Sequence, residues 1–166
     1  MIEPPEIVEA EAQAAAVIHV TTPRDQIQAA MPPAIHEVID AVSDQGVGPA
    51  GPVFAHHLSM PTDEFDFEVG VPVSGPVTPT GRVRPGQLPA ATVVRTVYKG
   101  PYEGLPEAWR EFGERAEREL GDRLKAEGLR PGGTLWERYV AGPESSPDPS
   151  AWRTELNRRL VRGEGS

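Results

Sequence analysis

The chain contains no cysteine among its 166 residues. This absence excludes disulfide bonds, thiolate metal sites and cysteine nucleophiles, and it is typical of a reducing compartment. The first residues are acidic, and they lack the basic segment and apolar core of a signal peptide. We therefore expect a cytoplasmic protein.

Long apolar runs and an excess of positive charge are also missing. No stretch reaches the roughly 18 apolar residues of a membrane-spanning helix, so the sequence predicts no membrane partner. Lys and Arg total 16 against 25 Asp and Glu, which gives a net charge of −9. Such a surface repels phosphate backbones and attracts cations. We expect no nucleic-acid partner and a cationic ligand, although solubility alone accounts for the charge equally well.

The remaining composition is that of a globular protein, with 38% hydrophobic and 25% charged residues. The 17 glycines and 19 prolines cluster between periodic segments and indicate turns. The length favours a single domain over residues 1–166. We divide it into a first half at about 5–73, a connector at 74–89 that buries little, and a second half at about 90–161.

Apolar periodicity predicts the same order in both halves: strand, helix, strand, strand. In the first half these are an extended run at 5–20, a regular helix from Pro32-Pro33 to Gly46 behind an irregular lead-in, and strands at 52–58 and 65–73. In the second half they are a strand at 91–98, a helix from Leu105 to Gly128, and strands at 134–140 and 150–161.

The two halves also share residues. When Gly46 is placed opposite Gly128, two more loop residues are identical, Pro49 with Pro131 and Gly51 with Gly133. The following strands then match Phe54 with Trp136, Ala55 with Glu137 and His57 with Tyr139. Together with the shared element order, this indicates a duplication. The predicted fold class is α+β, with pseudo-twofold duplicated strand–helix–strand–strand units and a ligand cleft between the halves.

Four segments, in order along nearly the whole chain, resemble the GyrI-like family of small-molecule-binding domains. They are Phe67–Val73, Arg95–Leu105, Leu135–Tyr139 and Trp152–Leu156. The family also provides the effector-binding domains of multidrug-responsive MerR-type and AraC-type regulators. The resemblance implies an aromatic cleft in which a glutamate, here Glu137, meets a lipophilic cation. Because no segment resembles a helix-turn-helix domain, the chain is similar to the stand-alone members.

Glu137 is the strongest candidate for a site residue. On a strand it shares a face with Leu135 and Tyr139, and a carboxylate between apolar neighbours is costly to desolvate. A bound cation would compensate for this cost, and aromatic faces would add cation–π attraction. The alternative is a surface glutamate paired with Arg138 or Arg153.

The other candidates are mostly aromatic. Tyr139 lies beside Glu137, Trp152 begins the last strand, Tyr98 and Tyr102 flank a Gly-Pro turn, and His57 lies opposite Tyr139 in the repeat. Four of them have a structural alternative: an amphipathic strand residue near the surface for Tyr139, a cover for the core edge for Trp152, a staple at the helix entry for Tyr102 and a solvated strand end for His57. Four more aromatic residues are predicted to lie chiefly in the core: Trp109, Phe112, Trp136 and Phe54. Two glutamates, Glu68 and Glu155, are predicted to lie on the surface.

No metal site or cofactor is predicted. His56 and His57 are adjacent on a strand and point to opposite faces, so they cannot easily hold one ion, and no spaced His/Asp/Glu set accompanies them. Related duplicated folds bind haem, but these two histidines are the only support for that interpretation here.

The sequence leaves three functions open. The first is a multidrug-type binding protein for lipophilic, aromatic, cationic compounds. The second is a hydrolase in the same cleft, with Glu137 as general base and Tyr139 or Tyr102 as hydrogen-bond donor; some stand-alone relatives are similar to hydrolases of electrophilic cyclopropane-bearing natural products. The third is an inhibitor that binds a DNA-handling enzyme through its acidic surface. The natural ligand and the oligomeric state are not predicted.

Overall fold

The structure is a computed structural model that describes residues 2–57, 64–142 and 146–162. In chain order its main elements are β1 (Glu6–Ala10), β2 (Gln13–Pro23), α1 (Ile27–Asp44), β3 (Phe54–His57), β4 (Glu64–Pro72), β5 (Arg84–Leu88), β6 (Ala91–Lys99), α2 (Leu105–Ala126), β7 (Leu129–Ala141) and β8 (Arg153–Arg162). They form two compact units, a first unit of Glu11–Ala90 and a second unit of Met1–Ala10 with Ala91–Ser166.

The first unit contains an antiparallel sheet in the order β3-β4-β2-β5. Strand β4 alternates as predicted, because Phe67, Val69 and Val71 are all fully buried. Helix α1 contributes Ala34, Val38 and Val42 to the same core. Leu58, the last residue of the predicted strand at 52–58, lies outside the described residues.

Helix α1 begins earlier than predicted. It is regular from Ile27 and runs through Pro32 and Pro33, so the prediction that it starts at these prolines is wrong. Proline lacks an N–H and leaves a carbonyl of the preceding turn without its helical partner. Both prolines are exposed, so solvent can hydrate those carbonyls, and the buried face of the helix offsets the loss.

The predicted boundaries of the halves also differ from the structure. Residues 74–89 are not only a connector, because β5 pairs with β2, and both Val83 and Leu88 are buried. Strand β1 pairs with β6, so the start of the predicted first half belongs to the second unit. Both strands are short and lie at a sheet edge, where alternation over five residues is a weak signal.

The second unit contains an antiparallel sheet in the order β1-β6-β8-β7. Helix α2 packs on one face of it through Ala108, Phe112 and Leu124, against Leu156 and Leu160 of β8. The predicted apolar face of this helix is confirmed. Gly128, with φ of 70°, follows the helix in the left-handed conformation that favours glycine.

Both units have the same topology. Counted from β3 in the first unit and from β7 in the second, the first two strands are the two that follow the helix, the third is the strand before it, and one extra strand is the fourth. Gly46 and Gly128, aligned in the sequence repeat, have φ of 69° and 70°. Phe54 and Trp136 are both buried core residues, as predicted. The predicted α+β fold is confirmed, whereas the origin by duplication and the cleft between the halves stay predictions.

Among the residues that the structure describes, neither α1 nor α2 is long and apolar enough to span a membrane.

Candidate functional site

Glu137 is a buried acidic residue on β7 of the second unit. It pairs with Leu156 on β8, and the residue is 8% exposed. The alternation of β7 turns Glu137 and Tyr139 toward helix α2, while Trp136 and Arg138 point to the other side of the sheet. The face assignment made from the sequence is therefore the one in the structure.

Two neutral donors hold the carboxylate of Glu137. The indole Nε1 of Trp109 on α2 donates to Oε2 at 2.6 Å, and the hydroxyl of Tyr139 donates to Oε1 at 2.7 Å. Burial raises the pKa of Glu137 above its ordinary value, and these two hydrogen bonds oppose that rise. Both oxygens are thus occupied, but neither bond supplies a compensating charge.

Further aromatic rings lie next to the Tyr139 donor. Tyr102, in a short 3-10 helix just before α2, lies with its ring centroid 5.7 Å from that of Tyr139 and 5.0 Å from that of Trp152. The indole of Trp152 donates to the Ser146 carbonyl at 2.8 Å, which fixes its orientation. We refer to Trp109, Tyr102, Tyr139 and Trp152 as the aromatic cluster.

No arginine in the described part of the chain is paired with Glu137. Arg138, one of the predicted alternatives, lies on the opposite face and donates to Glu155 Oε1 at 2.9 Å, and the Nε of Arg95 is 3.4 Å from that same atom. Within residues 2–57, 64–142 and 146–162, no Lys, Arg or His side chain forms a salt bridge with Glu137. Glu155 itself is 9% exposed, so its prediction as a surface residue is wrong.

Two predicted site residues lie elsewhere. Tyr98 is buried in the core beside Leu156, and its hydroxyl donates to the Pro101 carbonyl at 2.9 Å. His57 belongs to the first unit, where its ring stacks on Phe67 at 5.2 Å, and burial lowers its pKa to about 4. Neither is part of the aromatic cluster, and the expectation that His57 shares a cleft with Tyr139 stays a prediction.

Trp109 is the site residue that the sequence interpretation missed. Its place on the apolar face of α2 predicted a core residue, and it does pack against Phe112, with ring centroids 5.7 Å apart. An indole N–H that becomes buried needs an acceptor. The sequence does contain a possible acceptor for this N–H, because Glu137 is a carboxylate on the strand that follows the helix.

No metal centre is formed by the described part of the chain, in which no group of three or more His, Asp or Glu residues is placed to bind an ion. The arrangement around Glu137 instead combines a buried negative charge, neutral donors and aromatic faces. These are features of a site for an organic molecule.

The sequence model of the GyrI-like small molecule binding domain family matches residues 3–157. The chain belongs to this family. No curated protein matches its sequence.

Solved structures share this GyrI-like fold. The C-terminal domain of EcmrR matches with a TM-score of 0.74 and 20% identity, over 95% of this chain and 97% of that one. The chain spans 58% of the longer EcmrR chain solved with DNA. A hydrolase from Listeria innocua matches with a TM-score of 0.58 and 17% identity, over 95% of this chain and 91% of that one. SAV2435 bound to tetraphenylphosphonium matches with a TM-score of 0.57 and 10% identity, over 95% of this chain and 93% of that one.

Proposed function

We propose that this GyrI-like protein binds lipophilic, aromatic cations of several kinds, with Glu137 as the counter-charge and the aromatic cluster as the apolar wall. The observation that carries the proposal is the buried carboxylate of Glu137, which has hydrogen-bond donors but no cationic partner among the described residues.

The electrostatic cost of this arrangement supports a cationic ligand. A buried, ionised carboxylate without an opposite charge destabilises the folded protein. A cation placed near it recovers Coulomb energy in surroundings where water screens little. Because the counter-charge acts over distance, it does not require one ligand shape, and this is typical of broad rather than narrow selectivity.

The aromatic cluster supports a ligand with a large apolar surface. Ring faces attract organic cations through their quadrupoles, by about 0.5–2 kcal/mol for each well-placed ring. Tyr102 and Trp152, whose rings lie 5.0 Å apart at 34°, present such faces. The tetraphenylphosphonium found on SAV2435 has the properties that this site requires, and it is therefore a suitable probe.

Titration with a charged and a neutral probe tests the proposal. We expect tetraphenylphosphonium to quench tryptophan fluorescence, because Trp109 and Trp152 belong to the aromatic cluster. We expect micromolar affinity for this cation and at least about tenfold weaker binding of neutral triphenylphosphine oxide, since a lost charge interaction of about 1.4 kcal/mol is a factor of ten. Equal affinity for the two probes would contradict a charge-selective site.

A hydrolase of electrophilic cyclopropane-bearing natural products is the second candidate. The observation that favours it is the 2.7 Å contact between Tyr139 and Glu137. A carboxyl group with a raised pKa is suited to act as general base on a water molecule near neutral pH, while a tyrosine hydroxyl can stabilise developing negative charge. Mass spectrometry after incubation with excess protein separates the candidates, because a binding protein returns the compound unchanged and a hydrolase adds one water.

A further inference from the structure

The two donors to Glu137 differ in chemistry. An indole N–H can only donate, so Oε2 of Glu137 accepts from Trp109 in every protonation state. A phenol hydroxyl can donate or accept. The 2.7 Å contact between Tyr139 and Oε1 therefore fits two states: the hydroxyl donates to an ionised carboxylate, or the protonated Oε1 donates to the hydroxyl.

The same heavy-atom arrangement thus serves a neutral and a charged Glu137. In the neutral state no charge is buried, the protonated Oε1 donates to the Tyr139 oxygen, and the hydroxyl hydrogen of Tyr139 points away from Glu137. In the ionised state both bonds are charge-assisted and stronger. The change between the states needs only the rotation of the Tyr139 O–H bond, with no movement of a strand or helix.

Among the described residues on this side of the sheet, no charged group forms an ion pair with Glu137. Arg158 on β8 pairs with Leu135 and so lies diagonal to Glu137, and its half-buried guanidinium has a pKa lowered by burial. On helix α2, Trp109 donates to Glu137. In the short helix before it, the ring of Tyr102 contacts the ring of Tyr139. The pKa of Glu137 is governed by burial and by its bonds to Trp109 and Tyr139.

We propose that a permanent cation binds at Glu137 in exchange for a proton, with the Tyr139 hydroxyl reversing its hydrogen bond during the exchange. This inference rests on the proposed function. In the exchange the O–H bond at Oε1 breaks, the proton passes to solvent, and Tyr139 turns to donate to the ionised oxygen. The ligand class is then a cation that keeps its charge at any pH, such as a phosphonium or quaternary ammonium ion.

The exchange predicts a definite pH dependence. Because the pKa of Glu137 is raised, the free protein is protonated at this site over a wider acidic range than an ordinary glutamate. Below that pKa, affinity for a permanent cation rises up to tenfold for each pH unit, as the ionised form becomes available. Above it, affinity is constant and binding releases no proton.

Calorimetry of tetraphenylphosphonium binding in two buffers of different ionisation enthalpy, from about pH 5 to about pH 8, measures the released proton. We expect release that approaches one proton per ligand at acidic pH and vanishes at alkaline pH. Trp109→Phe removes a donor that favours the ionised form, so it should move this transition to higher pH. Glu119→Gln is the control on the same helix, because Glu119 pairs with Arg115 on the outer surface of α2, and it should leave the transition in place.

A titration of the free protein by carbon-13 NMR of the glutamate side chains provides a readout without ligand. We expect the Glu137 resonance, assigned by its loss in Glu137→Gln, to titrate above the ordinary glutamate range. Titration within that range, or affinity that does not vary with pH, overturns the proton exchange and leaves cation binding intact. If tetraphenylphosphonium does not bind at any pH, the proposed function fails and the exchange fails with it.

Discussion

Replacing Glu137 by glutamine is expected to lower the affinity for tetraphenylphosphonium by about 10- to 100-fold and to leave the affinity for a neutral aromatic compound unchanged. The attraction between unit charges about 5 Å apart, at an effective dielectric constant of about 20, is about 3 kcal/mol, and this corresponds to about 100-fold in affinity. Glutamine keeps the shape of the side chain and an oxygen that accepts from Trp109, so the packing around residue 137 should persist. Fluorescence titration of both proteins measures the change.

A matched control separates the local charge from the charge of the whole protein. Glu119→Gln removes the same formal charge from the outer surface of α2, where Glu119 pairs with Arg115 at 2.9 Å. We expect this variant to bind the cation within about twofold of the original protein, because solvent screens an exposed charge. An equal loss in both variants would show that the acidic surface attracts the ligand and that Glu137 has no special role.

Replacing Trp136 by alanine is expected to reduce the free energy of unfolding by about 3–5 kcal/mol. Trp136 is 2% exposed, and it lies on β7 next to Glu137 but on the opposite face. For a protein of this size the loss corresponds to a fall in Tm of about 10 °C or more. Thermal and denaturant unfolding measure both quantities.

Val140 provides the control on the same strand. It is 49% exposed, so Val140→Ala should change the free energy of unfolding by about 0.5 kcal/mol or less. Equal stability of the two variants would contradict the burial of Trp136 in the core.

Strand faces and helix faces were the part of the fold that the sequence predicted best. Alternation in β4 and the spacing of apolar residues from Leu105 to Leu124 each extend over enough residues to define a face. Strands β1 and β5 were not predicted in their observed places. Each has five residues, and which distant strand they pair with depends on tertiary contacts that periodicity does not contain.

The site was only partly predicted, again because contacts between distant residues depend on the fold and not on local periodicity. Glu137 was conspicuous because a carboxylate interrupts an apolar strand face, and Tyr139 followed from its place two residues further on. Trp109 was missed because its spacing places it among core residues, and only the fold brings its indole to Glu137 at 2.6 Å. Tyr98 was included because of its turn, yet a bond to the carbonyl of Pro101 satisfies its hydroxyl within the core.

A crystal structure of the protein with tetraphenylphosphonium tests the central claim most directly. The account predicts the phosphonium within about 6 Å of the Glu137 carboxylate, the range over which an opposite charge acts strongly, with its phenyl rings against Tyr102, Tyr139 and Trp152. A cation bound at another place, with the hydrogen bonds of Glu137 unchanged and its carboxylate still buried away from the ligand, would contradict it.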